Sequence, residues 1–113
     1  MTETPYDAPG VNQRLESLPG WTFRDGAIRR TYQTDGWPVT MLVVNAIAWV
    51  CETADHHPDL AVSWARVEVA LNTHSAKGIT DKDFETAALI EGAVRWTPGK
   101  QSALRRRPDP LVR

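Results

Sequence analysis

Residues 21–33 read WTFRDGAIRRTYQ. Trp21 and Phe23 alternate with Thr22 and Arg24, and Ala27 to Gln33 alternates again through Ile28 and Tyr32. A period of two is the pattern of a strand with one buried face. Between the two runs stands Asp25-Gly26, a pair that accepts the positive φ of a two-residue hairpin turn. The stretch predicts two antiparallel strands, and its flanks must supply whatever covers their apolar face.

Upstream, Pro19-Gly20 stops a short helix expected over Asn12 to Leu18, and residues 1–11, with Pro5, Pro9 and Gly10, read as a flexible arm. Downstream, Asp35, Gly36 and Pro38 signal a helix start, after which Trp37, Met41, Val44, Ala48 and Cys51 recur at helical spacing. Leu42, Val43, Ala46, Ile47, Trp49 and Val50 are apolar on the other sides. One sheet face cannot cover a helix that is apolar nearly all round. A homodimer or homotetramer through helix 2 or a sheet edge is therefore expected, with Val43 and Val50 facing away from the sheet.

Pro58 ends this helix, because proline disfavours helical backbone in the residue ahead of it. Leu60, Val62 and Trp64 share one parity and Val67, Val69 and Leu71 the other, which predicts a second hairpin turning near Ala65. Thr80 is an N-cap with Asp83 three residues on, and Phe84, Ala87, Ile90 and Val94 continue a third helix until Pro98-Gly99. The order is α-β-β-α-β-β-α. It implies an α+β fold, a four-stranded antiparallel sheet with three helices on one face, as a single domain over residues 12–96 followed by a tail, 97–113.

The 113 residues, 42% hydrophobic and 24% charged, suit one core. Thirteen basic against fourteen acidic residues give −1, which lacks the positive field of a direct nucleic-acid binder. The charge is uneven. Arg95, Lys100, Arg105, Arg106, Arg107 and Arg113 face only Asp109, a local +5, so seven basic against thirteen acidic residues leave −6 in the first 94. The basic tail is expected to be disordered or docked on an acidic surface, and it is the feature an acidic protein partner would use. The most apolar run, Val39 to Cys51, falls short of the roughly 20 residues of a membrane span. The N-terminus resembles no signal peptide, and the single cysteine allows no internal disulfide. These features predict a cytoplasmic protein without a membrane partner.

The chemistry-bearing residues gather at two places. His56 and His57 follow helix 2, with Glu52 one turn before them and Asp55 and Asp59 beside them; His74 ends the last strand, ahead of Asp83. An antiparallel hairpin returns His74 to the His56-His57 corner, so three imidazoles are expected to line one cleft. Imidazole, with an ordinary pKa of about 6.5, both gives and takes protons near neutrality. Adjacent histidines seldom turn to one ion, and there is no second cysteine or HxxxH spacing, so no metal is assigned. Ordinary roles also exist: Asp83 as a capping carboxylate, Glu52 as a solvated residue, Trp64 as packing.

Glu52, three residues, His56-His57-Pro58, five residues, Trp64, nine residues, His74, eight residues and Asp83 form a string that resembles the signature of the pterin-4a-carbinolamine dehydratases, the dimerisation cofactors of a homeodomain factor. The resemblance covers roughly residues 15–95. It implies dehydration of 4a-hydroxytetrahydropterin to quinonoid dihydropterin, with no metal or bound cofactor. By motif position His56 and His74 would be the acid-base pair and His57 would hold the pterin. Glu52, Asp55, Pro58 and Asp83 would support them, and Trp64 fills the aromatic slot. The chain departs from the pattern in having Trp64-Ala65 where the family often has Tyr-Asn, and Lys77 where a second Gly is usual. The same resemblance includes catalytically silent scaffolds, such as assembly factors for ribulose-bisphosphate carboxylase in carboxysomes. For such a scaffold, helix 2 and Arg105-Arg106-Arg107 would be the binding features.

Overall fold

The computed structural model describes residues 3–113. Its elements are α1 (Ala8–Leu15), β1 (Thr22–Arg24), β2 (Ala27–Gln33), α2 (Trp37–Ala54), β3 (Asp59–Ser63), β4 (Arg66–Leu71), a 3-10 turn (His74–Ala76) and α3 (Asp81–Val94). The strands form one antiparallel sheet in the order β1-β2-β4-β3, so the expected α+β architecture is the one observed.

The hairpin turns where Asp25-Gly26 stands, with φ of 50° and 74°, a left-handed pair that glycine adopts without cost. Arg24 pairs with Ala27, and Ile28 pairs across the sheet with Leu71. The second hairpin turns at Trp64-Ala65 and sets Leu60 against Val69 and Val62 against Val67, which brings the two parities to one face. Ile28, Tyr32, Val67, Val69 and Leu71 on that face join residues from all three helices in a single buried core.

Four expectations are corrected. Helix α1 begins at Ala8, not Asn12, because the Asp7 carboxylate accepts the Gly10 N–H and Pro9 preshapes the first turn. The arm before it is held too, the Tyr6 N–H donating to the Ile79 C=O at 2.8 Å. The α2 face is also shifted: Val39, Thr40, Val43, Ile47, Val50 and Cys51 are buried, so Val43 and Val50 lie in the core, and Leu42 and Trp49 face out. Finally, the tail docks through its end rather than through charge. Val112 is buried, Leu111 packs on the core, and the Arg113 N–H donates to the Gln33 C=O at 2.8 Å.

Candidate active site

The end of α2 launches the first two histidines. Asp55 takes a left-handed conformation, φ 52°, and the His56 N–H bonds back to the Cys51 C=O at 3.1 Å. Such a cap reverses the chain within one residue and satisfies the last carbonyls of the helix. The two imidazoles then part. His57 Nε2 returns to Glu52 Oε1 at 2.7 Å, an exposed contact, while His56 Nε2 meets Asp83 Oδ1 at 2.6 Å with its ring largely buried. An ionised carboxylate only accepts, so in each contact Nε2 is the donor and Nδ1 is the nitrogen not turned to the carboxylate.

Asp83 itself has no solvent-exposed surface. Its second oxygen, Oδ2, accepts the Thr80 N–H at 2.9 Å and the Thr73 hydroxyl at 2.8 Å, and the Thr80 and Thr73 hydroxyls lie 2.8 Å apart. The capping box of α3 is thus also the support of His56. Every buried polar atom in this chain of contacts has a partner, which fixes the His56 ring.

His74 follows Thr73 directly. The loop that carries it is closed by the Thr73 N–H donating to the Gly78 C=O at 2.8 Å and the Lys77 N–H to the His74 C=O at 3.1 Å. Lys77 stands at φ 55°, in the left-handed region that glycine would occupy more cheaply. Since Asp59 pairs with Ala70, the histidines before β3 and His74 after β4 leave the same end of the hairpin. His74 is exposed and its ring makes no hydrogen bond among the described residues. A cavity of about 240 Å³ opens beside His56, with Asp55, Lys82, Glu85 and Leu89 in its wall; His57 and His74 are not among its lining residues.

Pro58 is half-buried between His57 and β3. Trp64 sits at the opposite end of β3, away from the histidines. Its ring covers Gly36, where a Cβ would meet it at 3.2 Å, and its C=O accepts the Thr40 hydroxyl at 2.8 Å. It serves the α2 entry and does not join the cluster.

A second polar centre forms away from the histidines. Glu91 on α3 accepts from Trp21 Nε1 at 2.9 Å, Arg30 Nε at 3.0 Å and the Tyr32 hydroxyl at 2.7 Å. Burial would raise this carboxyl, yet the bonds from Tyr32, Arg30 and Trp21 outweigh it and hold Glu91 below the ordinary carboxylate value. Burial and the Glu91 bond push the Tyr32 phenol up, and burial pushes the Cys51 thiol up to about 11. The signal for this centre was Arg30, a charged residue on the inward parity of β2 between Ile28 and Tyr32.

Residues 4–93 match the model of the pterin 4 alpha carbinolamine dehydratase family. Proteins named "Putative pterin-4-alpha-carbinolamine dehydratase" are similar along most of their length. The one from Aquifex aeolicus (strain VF5) is 45% identical over 75% of this chain and 86% of its own, and that of Chromobacterium violaceum is 39% identical over 82% and 86%. A crystal structure titled as a transcriptional coactivator/pterin dehydratase from Brucella melitensis superposes with a TM-score of 0.75 at 28% identity, over 80% of this chain and 98% of that one. The matched segment contains the whole sheet, all three histidines and the Asp83 support. The chain belongs to the pterin 4 alpha carbinolamine dehydratase family.

Proposed function

We propose that the protein dehydrates 4a-hydroxytetrahydropterin to quinonoid dihydropterin by histidine acid-base catalysis. The observation that carries this reading is the 2.6 Å contact between His56 Nε2 and the buried Asp83 carboxylate. In the reaction the C4a–O bond breaks and the hydroxyl leaves as water with a proton it must gain. N5 loses its proton, and the electrons of the N5–H bond become the C4a=N5 double bond. One proton is given and one is taken, so two imidazoles suffice.

His56 and His74 are assigned these transfers. Asp83 holds His56 with Nδ1 free and stabilises its cationic form after proton uptake. His57, steadied by Glu52, contacts the pterin, while Asp55 and Pro58 shape the turn that presents both rings. A self-associating molecule, joined through α2 or a sheet edge, is part of this reading.

The test is the rate of quinonoid product formation from enzymatically generated 4a-hydroxytetrahydropterin, followed by absorbance. Catalytic amounts of protein should raise that rate well above buffer alone. A folded protein without effect on the rate would overturn the reading in favour of a catalytically silent scaffold, such as an assembly factor of the carboxysomal type.

A further inference from the structure

Beyond α3 the chain wraps around a cavity of about 510 Å³, a size that suits a small organic ligand. Trp96, Leu104, Arg105, Arg106 and Arg107 line it. None of the three arginines forms an ion pair with a carboxylate among the described residues. The Arg107 guanidinium instead donates to the Asp109 C=O at 2.8 Å, which secures the turn that carries it. Pro98, Pro108 and Pro110 stiffen the loop, and Val112 anchors its far end in the core. The arginines are therefore held over a concave surface rather than carried on a free end.

We propose that this cavity binds a nucleoside di- or triphosphate, at a site distinct from the histidine cluster and independent of the dehydratase reading. The three arginines of its lining bring +3 to this segment, and planar guanidinium forks match phosphate oxygens. A single carboxylate would leave most of that charge unanswered. Trp96, largely exposed on the wall, offers an indole face on which a base stacks. The family-model match ends at residue 93, so the site lies outside the matched segment.

Calorimetric titration of the full chain with ATP, tripolyphosphate and adenosine at physiological salt tests the assignment. ATP should bind tightest. Trp96→Ala should weaken ATP about 5-fold or more without changing tripolyphosphate binding. The triple change Arg105→Ala, Arg106→Ala, Arg107→Ala should weaken both by about 10-fold or more, with the circular dichroism spectrum unchanged. Equal binding of ATP and tripolyphosphate, or an ATP affinity indifferent to the arginines, would overturn the proposal. So would a hexaglutamate peptide that binds more tightly than ATP, which would return the tail to an acidic protein partner.

Discussion

Asp83 divides its carboxylate between two tasks: Oδ1 lies 2.6 Å from His56 Nε2, and Oδ2 accepts the Thr80 N–H at 2.9 Å to close the capping box of α3. Asp83→Asn keeps the acceptor for the cap and turns an amide N–H toward His56, which forces the ring to the other tautomer. Activity should fall by about 10² or more, the scale of a misoriented acid-base histidine. The cap keeps an acceptor but loses its negative charge, so the midpoint temperature should drop only a few degrees. A variant that keeps full turnover would separate the two tasks and remove Asp83 from the mechanism.

Glu91 should make stability depend on acid. Its folded carboxyl lies below the ordinary value, so the native state favours the charged form more than the unfolded chain does. The contribution is complete above the unfolded value of about 4.3 and is lost as pH falls through the depressed native one. Melting curves between about pH 5 and pH 3 should therefore decline more steeply for the wild type than for Glu91→Gln. At neutral pH that variant should be about 1–2 kcal/mol less stable, because the Arg30 contact loses its charge. Parallel pH profiles for the two proteins would contradict the role.

The outward face of α2 carries Leu42 and Trp49, 56% and 68% exposed. Trp49→Asp should leave the fold intact and shift the native mass measured by light scattering toward monomer. Val43→Asp should unfold the chain instead, since an unpaired charge in the core costs several kcal/mol. A wild-type monomer at micromolar concentration would refute self-association.

Removing residues 111–113 exposes the site that Val112 fills and breaks the Arg113–Gln33 bond. Burial of a valine is worth about 1.5–3 kcal/mol, so the melting temperature should fall measurably. An unchanged melting temperature would show that the tail's end is not held in solution.

Much of this molecule is legible in its sequence where one local signal dominates. Asp25-Gly26 has a single low-cost conformation, and Thr80 with Asp83 marks a helix start whichever way α3 packs. The orientation of α2 was not legible, because a helix apolar on all sides gives periodicity nothing to select. Its core face even includes Thr40, whose hydroxyl lies 2.7 Å from Thr34 Oγ1 and bonds the Trp64 C=O. The α1 start was signalled by Asp7 and Pro9 but lay in a stretch too poor in apolar residues to read as helical. The three histidines could be placed at one hairpin end from strand pairing alone. The division of Asp83 and the convergence on Glu91 required the tertiary fold, since the donors to Glu91 lie 59 to 70 residues away in the chain.

Proton transfer by His74 in the dehydration is measured by the turnover of 4a-hydroxytetrahydropterin by His74→Ala, with and without chelator. The His74 ring is exposed and makes no hydrogen bond among the described residues, so its loss should leave the melting temperature close to that of the wild type. The variant's kcat should be reduced by about 10² or more and be indifferent to EDTA; turnover at the wild-type rate would remove His74 from the mechanism.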